Sequence, residues 1–362
     1  MLFVAKNVGR LLTTVGGGAV WRQARLQSNR QTVIIALGGN ALLREGQNLT
    51  GKAQMTNIEM ATKSIASIAS DSEHWNVIVT HGNAPQAGFL ALRQADQFSL
   101  EVLNAETQGM IGSQLDESLS NQLPGRNVTT LITQVEVDRD DPAFSAPTMP
   151  IGPFYETKPE DTATLVQVGA KWLRVVASPK PKRIVELSTI QTLVRAGDLV
   201  ICCGGGGIPV VRNDHGQLHG VPAVIDKDLT ASLLGQQLGA DSLIMLTDAD
   251  AVYKDWGKPT QQRMDVVDAF NLDPEWIAQL PAGSMRPKVI AAAEFAKSTG
   301  GWAAIGSLNK LDEIIRGTSG TRFTTLNTKF VGESLMSRIL PADMGTWNLE
   351  HVKSCARGCD DN

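Results

Sequence analysis

The sequence predicts an α/β fold in which a mainly parallel β-sheet carries helices on both faces. Short apolar runs of strand length alternate along the chain with segments whose apolar residues recur at helical spacing. Several of these runs end in glycine, and helix-like segments follow them, which is the rhythm of a parallel sheet. Such sheets bind ligands at the carboxyl ends of their strands, so the functional residues are expected there.

The individual elements follow this alternation. The first predicted strand is TVIIALGG, which begins near Thr32, and the first predicted helix is NIEMATKSIASIAS, in which four apolar residues share one face: Ile58, Ala61, Ile65 and Ile68. Five further apolar runs are predicted strands: WNVIVTHG, VTTLITQV, DLVICCGGGG, DSLIMLTDAD and GWAAIGSL. A buried strand accounts for Val200 to Cys203, and helices are predicted over 229–238 and 288–297.

The alternation fails between about residues 138 and 182, where seven prolines stand at positions 142, 147, 150, 153, 159, 179 and 181. This segment also carries the aromatic residues Phe144, Phe154, Tyr155 and Trp172, so we expect an inserted flap and not a linker. It lies within a main domain predicted over residues 31–326. Residues 327–362 are expected to form a C-terminal tail.

The first thirty residues form a basic leader with no Asp or Glu and five cationic residues: Lys6, Arg10, Arg22, Arg25 and Arg30. This composition is typical of a mitochondrial transit peptide and predicts the matrix as the location. The alternative is a merely disordered basic leader on a cytoplasmic protein. No apolar run approaches the length of a membrane span, so no membrane partner is expected.

The bulk composition of the 362 residues is that of a globular protein, with 42% hydrophobic and 19% charged residues. The 33 Lys and Arg against 37 Asp and Glu give a net charge of -4, which excludes a global field for attracting nucleic acid. Four cysteines do not make a disulfide framework in such a chain. We expect unpaired thiols at Cys355 and Cys359, and at Cys202 and Cys203 on opposite faces of a strand.

Two glycine loops end predicted strands: ALGGN at 36–40 and CGGGG at 203–207. Without side chains, successive backbone N–H groups can converge on an anion. Neither loop is a P-loop or a GxGxxG motif. Either alone could be a tight turn, but two such loops in one α/β chain favour phosphate binding.

A third loop, THGNAPQAG at 80–88, offers His81, Asn83 and Gln86 as donors. His81 is a candidate general base, and an orienting or merely packed histidine is the alternative. A metal-like cluster is formed by Asp214, His215 and His219. The glycines that follow both histidines indicate a turn there, so no protein side chain is predicted to bind a metal ion.

Two lysines stand where a loop meets a predicted helix, which suits phosphoryl transfer because that chemistry depends on positioning and charge neutralisation. Lys227 lies between Asp226 and Asp228, whose carboxylates would fix its ammonium group. Lys288 follows the sequence GSMRP at the start of a helix. The alternative for any single lysine is a solvated surface position.

At these residues the sequence resembles carbamate kinases, within the amino acid kinase superfamily. The resemblance runs in order over about residues 32–323 through ALGGNAL, THGNAPQAG, TQGMIG, VEVDRDDPAF, PIGPFY, RVVASPKPKRIVE, CGGGGIPVV, AVIDKDLTASLL, LIMLTDADAVY, PAGSMRPK and GTR. It implies a three-layer αβα sandwich with a small protruding flap subdomain, and a homodimer. The implied reaction is ATP plus carbamate giving ADP plus carbamoyl phosphate, with Mg²⁺ accompanying the nucleotide, often run toward ATP in arginine catabolism.

The resemblance also implies site roles. Lys227 and Lys288 would stabilise phosphate oxygens, and Asp228 would orient lysine. The transferred phosphoryl group would be held by Gly38, Gly39 and Asn40. The residues near carbamate would be Gly82, Asn83, Gly204, Gly205 and Gly206. The nucleotide would be lined by Thr247, Asp248, Tyr253 and Met285.

Three positions depart from the family pattern. Met149 stands where the family has a flap lysine that reaches toward the transferring group. Because a thioether carries no charge and donates no hydrogen bond, reduced activity is expected. Ala84 replaces a usual glycine, and Arg286 stands where a small or apolar residue is common. Two alternatives to an active carbamate kinase follow: a pseudoenzyme that binds nucleotide or carbamoyl phosphate, and a kinase that makes another acyl phosphate.

Overall fold

A computed structural model describes residues 30–43, 47–94, 96–159 and 164–325. Its strands are β1 (Gln31–Leu37), β2 (Trp75–His81), β3 (Val128–Thr130), β4 (Gln134–Val137), β5 (Met149–Tyr155), β6 (Leu165–Val168), β7 (Lys171–Val176), β8 (Pro181–Ile184), β9 (Leu199–Ile201), β10 (Ile208–Arg212), β11 (Leu218–Gly220), β12 (Ser242–Thr247), β13 (Val252–Lys254), β14 (Gln262–Met264), β15 (Val266–Asp268), β16 (Trp302–Ser307) and β17 (Thr321–Thr324).

The α-helices of the same residues are α1 (Gly39–Leu42), α2 (Gly51–Ala69), α3 (Ala84–Gln94), α4 (Leu100–Gln122), α5 (Leu187–Ala196), α6 (Lys227–Leu238), α7 (Pro274–Gln279), α8 (Met285–Thr299) and α9 (Leu311–Ile315). Short 3₁₀ helices lie at Pro142–Phe144, Gly204–Gly206 and Leu308–Lys310. Within the described ranges, no helix combines the length and the apolar character needed to cross a bilayer.

The central sheet has eight strands in the order β15-β17-β16-β12-β1-β2-β9-β3. Six strands, from β16 to β3 in that order, are mutually parallel, while β17 runs antiparallel to β16 and β15 runs parallel to β17. The predicted mainly parallel sheet is therefore confirmed. The parallel strands place the ends of β12, β1, β2 and β9 side by side at one edge.

The three-layer architecture follows from the alternation of side chains along the buried strands. Val33 and Ile35 of β1 pack in a cluster with apolar residues of α2, α4 and α9. Ile34 and Ala36 of the same strand pack in another cluster with residues of α5, α6 and α8. Both faces of the sheet are thus covered by helices, as the αβα sandwich requires.

The flap is a three-stranded antiparallel sheet in the order β5-β7-β6. It docks on α3, where a Cβ atom at Gly88 would lie 2.7 Å from the backbone nitrogen of Gly152. Ile151 packs there with Leu90 of α3 and Leu103 of α4. The two glycines let the flap strand approach the helix at backbone distance, because any larger residue at Gly88 would separate them.

Two predicted strands end earlier than the sequence indicated. The run VTTLITQV does not form one strand, because β3 ends at Thr130 and β4 begins at Gln134. The predicted strand through Cys203 ends at Ile201, since Cys203 adopts a left-handed conformation with φ 53° and starts the glycine turn. Cys202 and Cys203 are both free and buried, but they share one apolar cluster and do not face opposite sides of a strand.

Candidate active site

Four strand ends meet at one edge of the central sheet and carry the predicted phosphate loops. In the register, Leu37 at the end of β1 pairs with His81 of β2 and with Leu246 of β12. Gly38 then donates from its backbone nitrogen to the carbonyl of Leu246 over 3.0 Å, and Gly82 donates to that of Leu37 over 2.9 Å. The first glycine loop and the THGNAPQAG loop are therefore neighbours.

The glycine positions are closely packed. A Cβ atom on Gly82 would lie 3.0 Å from the backbone nitrogen of Gly39 and 3.2 Å from Cδ of Lys227. A Cβ atom on Gly38 would lie 3.0 Å from the Leu246 carbonyl oxygen. This packing brings the first glycine loop, the THGNAPQAG loop and Lys227 together. Asn40 follows in α1, and its side chain lies outside the described part of the chain.

The second glycine loop is a 3₁₀ turn with left-handed residues, wedged between side chains. Gly205, Gly206 and Gly207 have φ of +62°, +88° and +88°, values that disfavour residues with a Cβ atom. A Cβ atom on Gly204 would overlap the ring of His81, and one on Gly205 would overlap the carboxamide of Asn83. Glycine is thus required here both by the backbone conformation and because a Cβ atom would overlap neighbouring side chains.

Several side chains that the sequence analysis did not single out brace this loop. Thr230 donates its hydroxyl to the Gly206 carbonyl over 2.9 Å, and Asn104 donates its amide to the Gly207 carbonyl over 2.7 Å. Thr133 accepts from the Cys203 backbone nitrogen over 3.0 Å and is itself held by Gln108. A sequence signal existed for the residues of α4, because Asn104, Thr107 and Gln108 are polar residues on its buried face.

Asp228 lies between the two candidate lysines. Its Oδ1 is 2.7 Å from Lys227 Nζ, and its Oδ2 is 3.0 Å from Lys288 Nζ. Asp228 is 2% exposed and Lys288 is 8% exposed. Asp226 begins α6 by accepting from the backbone nitrogens of Asp228 and Leu229, which fixes the direction of the first turn.

The electrostatics favour a charged triad. Burial raises the pKa of Asp228, but the charges of Lys227 and Lys288 and their hydrogen bonds outweigh burial and leave that pKa below its ordinary value. Burial lowers the pKa of Lys227, and the nearby Lys288 lowers it further against the attraction of Asp228. Burial raises the pKa of Asp226, and the charge of Asp228 adds to the effect. Two ammonium groups thus share one firmly ionised carboxylate.

His81 is a packed, neutral histidine. Burial lowers its pKa to about 4, although a hydrogen bond to the Gly82 carbonyl acts in the opposite direction. That bond, 3.0 Å from Nδ1, requires the proton on Nδ1 because a carbonyl oxygen only accepts. The geometry agrees with the orienting alternative and makes His81 a weak base.

The predicted nucleotide side lies beyond the end of β12. Thr247 is the last residue of that strand, and Asp248 follows it at the surface. Tyr253 of β13 donates its hydroxyl to Asp250 over 2.9 Å, and its ring lies 5.0 Å from that of Trp256. Met285 begins α8, three residues before Lys288, so α8 connects this side to the triad.

The metal-like residues do not converge. Asp214 lies 3.7 Å from Arg139, and Nε2 of His219 accepts from Nδ2 of Asn213 over 3.0 Å across the β10–β11 turn. Among the described residues, no group of three or more His, Cys, Asp or Glu side chains could hold a metal ion.

Comparison with known proteins decides the family. A model of the amino acid kinase family matches residues 31–305. The curated carbamate kinase of Haemophilus influenzae is 46% identical over 306 residues, which cover 81% of this chain and 96% of the relative. That of Thermococcus kodakarensis is 40% identical over 310 residues, covering 80% and 98%. The chain belongs to the carbamate kinases of the amino acid kinase family.

Solved structures agree with this carbamate kinase assignment. A carbamate kinase from Giardia lamblia bound to AMP-PNP has a TM-score of 0.73 and 36% identity, covering 82% of this chain and 99% of that one. An N-acetylglutamate synthase from Neisseria gonorrhoeae shares only 12% identity at a TM-score of 0.51, so it shows a related fold and nothing more.

Proposed function

We propose that this chain catalyses reversible phosphoryl transfer between MgATP and carbamate, giving MgADP and carbamoyl phosphate. The observation that carries the proposal is the Lys227–Asp228–Lys288 triad, in which Asp228 and Lys288 are buried, beside three strand-end loops. The Giardia lamblia carbamate kinase bound to AMP-PNP, an ATP analogue, supports nucleotide as the donor.

In the forward direction a carboxylate oxygen of carbamate attacks the γ-phosphorus, a new P–O bond forms, and the P–O bond to ADP breaks. No proton transfer is needed, because carbamate reacts as its anion, so a neutral His81 is compatible with the chemistry. The charges of Lys227 and Lys288 offset the negative charge on the transferring oxygens. Asp228 holds both ammonium groups in place before the substrates bind.

The test is ATP formation from carbamoyl phosphate and MgADP, followed over time with purified protein. We expect steady production that depends on both substrates. Binding of MgADP and carbamoyl phosphate without ATP formation would instead favour the pseudoenzyme alternative. Faster phosphorylation of acetylglutamate or aspartate than of carbamate would favour the other acyl-phosphate kinases.

Two further parts of the proposal concern Met149 and assembly. Met149 lacks the charge of a flap lysine, and we propose that it lowers turnover.

Six large apolar side chains are exposed on α3, α4 and adjoining segments: Phe89, Leu92, Phe98, Val102, Met110 and Ile132. We propose this surface as the interface of a homodimer. Light scattering of the protein as it elutes from a size-exclusion column should give twice the mass of one chain. Leu92→Glu should shift the measured mass toward that of the monomer.

The location is also a proposal. Residues 1–29 lie outside the described part of the chain, and the support for mitochondrial import is the basic, acid-free composition of the leader. Residues 1–30 fused to a fluorescent protein should direct it to mitochondria. Diffuse cytoplasmic fluorescence would overturn the proposal.

A further inference from the structure

A single residue, Thr133, holds both ends of the second glycine turn. Its Oγ1 accepts from the backbone nitrogen of Cys203, where the turn begins, over 3.0 Å. Its backbone carbonyl accepts from the backbone nitrogen of Ile208, where β10 begins, over 2.9 Å. Thr133 is buried, with 0% of its surface exposed. The turn is therefore closed at both ends on one residue of the segment between β3 and β4.

Thr133 is itself fixed by Gln108 of α4 and by Leu131. The carboxamide of Gln108 bonds to both backbone groups of Thr133, because its Oε1 accepts from the nitrogen over 2.8 Å and its Nε2 donates to the carbonyl over 3.2 Å. The Thr133 hydroxyl donates its single hydrogen to the Leu131 carbonyl over 3.1 Å. Its oxygen is thus left to accept from Cys203, and the direction of each bond is settled.

Cys203 depends on this bond because of its backbone conformation. Its φ of 53° lies in the left-handed region, which costs free energy for a residue with a Cβ atom. Its N–H group is buried, and a buried N–H without a partner adds a further cost. The Thr133 hydroxyl removes this second cost and holds Cys203 in the conformation from which the four glycines start.

The turn held in this way leaves two backbone donors unused. Gly206 and Gly207 donate within the turn, to the carbonyls of Cys203 and Gly204, over 3.1 Å and 3.0 Å. Within the described ranges, no acceptor is bonded to the backbone N–H of Gly204 or Gly205, although both residues are buried. Because nearly all buried N–H groups in proteins have a partner, these two are suited to a ligand that accepts hydrogen bonds.

We infer that Thr133 is a positioning residue for the reaction, which fixes the direction of the Gly204 and Gly205 N–H groups before an acyl phosphate binds. The inference rests on the proposed function, in which this turn lies near carbamate or carbamoyl phosphate. Thr133 acts only through the turn, since its hydroxyl is occupied by Cys203 and Leu131. It should therefore affect the reaction of carbamoyl phosphate and not the binding of MgADP, whose proposed contacts lie beyond the end of β12.

The experiment compares Thr133→Val with Thr133→Ser in ATP formation from carbamoyl phosphate and MgADP. Valine has the shape of threonine but cannot accept from the Cys203 N–H, whereas serine keeps the hydroxyl. Thr133→Val should lower kcat/KM for carbamoyl phosphate by roughly tenfold to a hundredfold, the usual range for leaving one buried polar group unpaired. Thr133→Ser should keep the wild-type value. Calorimetric titration should give the same Kd for MgADP in all three proteins.

Thr62→Val is the matched control for the loss of a buried hydroxyl. Thr62 is also 0% exposed, and its hydroxyl donates to the Ile58 carbonyl over 2.9 Å and accepts from Nε2 of Gln122 over 2.7 Å, between α2 and α4. This variant should unfold at a lower urea concentration but keep the wild-type kcat/KM. Equal losses of kcat/KM in Thr62→Val and Thr133→Val would overturn the inference, because a purely structural role predicts that result.

Hydrogen exchange of the wild type tests the same point without a variant. If Thr133 holds the turn in advance, mass spectrometry of peptides that span residues 202–208 should show slow exchange before any substrate is added. Rapid exchange that slows only when carbamoyl phosphate binds would overturn the role of Thr133 while the kinase function stands. No ATP formation by the wild type would refute the proposed function, and the inference with it.

Discussion

The Nζ atom of Lys288 lies 3.0 Å from Oδ2 of Asp228, although the two residues are sixty positions apart in the chain. This bond joins the first turn of α8 to the first turn of α6. Because Lys227 occupies the other carboxylate oxygen, the two ammonium groups are set at a fixed separation beside the glycine loops. A site that must neutralise phosphoryl oxygens thus has its charges in place before any substrate binds.

Lys227→Ala should lower kcat by about a hundredfold or more, because it removes a preorganised charge that acts on the transition state. The fold should persist, since Asp228 keeps its bond to Lys288. Steady-state kinetics and circular dichroism check the two statements. Lys63→Ala, at an exposed position of α2, should leave kcat unchanged. A folded Lys227→Ala protein with normal turnover would refute the role.

Asp228→Asn should lower the free energy of unfolding by about 3–5 kcal/mol, the usual cost of leaving buried charges uncompensated. In wild type the pKa of Asp228 is below its ordinary value. Its stabilising contribution is therefore present above about pH 4 and is lost as the pH falls through the lowered pKa. Urea unfolding checks the prediction. Asp255→Asn, which breaks an exposed ion pair with Lys258, should have little effect, and equal losses would contradict the argument.

His81→Asn should reduce the loss of stability in mild acid. The unfolded histidine takes up a proton below pH 6.5, whereas the buried one stays neutral down to about pH 4. The free energy of unfolding of wild type should therefore fall as the pH decreases across this window, by about 2 kcal/mol at pH 5. Asparagine can still donate to the Gly82 carbonyl but does not titrate. Urea unfolding at about pH 7.5 and at about pH 5 measures the difference.

His74→Asn provides the comparison. His74 is exposed, and its bond to Asp71 raises its pKa, which is opposite in sign to the effect at His81. The free energy of unfolding of this variant should fall between neutral and acidic pH as much as that of wild type. If the loss disappears in His74→Asn and persists in His81→Asn, the acid sensitivity does not come from the buried histidine.

Gly205→Ala should impair both stability and turnover. The residue has a φ of +62°, and the new Cβ atom would overlap the side chain of Asn83. Gly216→Ala is a matched control, because its φ is +78° but no atom lies within 4 Å of the position that a Cβ atom would take. The control should lose about 1–2 kcal/mol of stability from backbone conformation alone and retain full kcat. Equal kcat losses in both variants would show that the overlap with Asn83 is unimportant.

The fold was predictable because its buried strands alternate between two helical layers and end in glycine. The run TVIIAL shows this directly, since its odd and even residues pack in different apolar clusters. The end of β9 was not predictable, because a positive φ at Cys203 is set by its surroundings and not by a preference of cysteine. The same holds for Thr133, whose bonds to Cys203 and Gln108 lie between the end of β3 and the start of β4.

The site was partly predictable. Glycine loops and lysines at helix starts are visible in the sequence, and the fold places Gly39, Gly82 and Lys227 next to one another. The bond from Lys288 to Asp228 was not visible, because it depends on the packing of α6 against α8. The bracing role of Asn104 and Thr107 was missed, although polar residues on the buried face of a helix are the signal for it.

Met149→Lys should raise kcat and change the affinity for MgADP little. Met149 is the first residue of β5 and pairs with Val176 of β7 at the base of the flap. Val176 packs in the same cluster as Val224, which lies three residues before Lys227. A lysine at this position would add a positive charge close to the segment that carries Lys227 and Asp228, in a site where exclusion of water strengthens such charges.

Arg286 cannot replace that charge from the other side. Its guanidinium donates to the carbonyls of Leu280, over 3.0 Å, and Ala278, so it is engaged at the end of α7. Met149→Leu is the matched control, because it removes the thioether without adding charge, and it should show no gain in kcat. Steady-state kinetics with carbamoyl phosphate and calorimetric titration with MgADP measure the two effects. If wild type turns over rapidly and Met149→Lys lowers kcat, the flap is adapted to the thioether. Met149 then contributes to the turnover of this carbamate kinase.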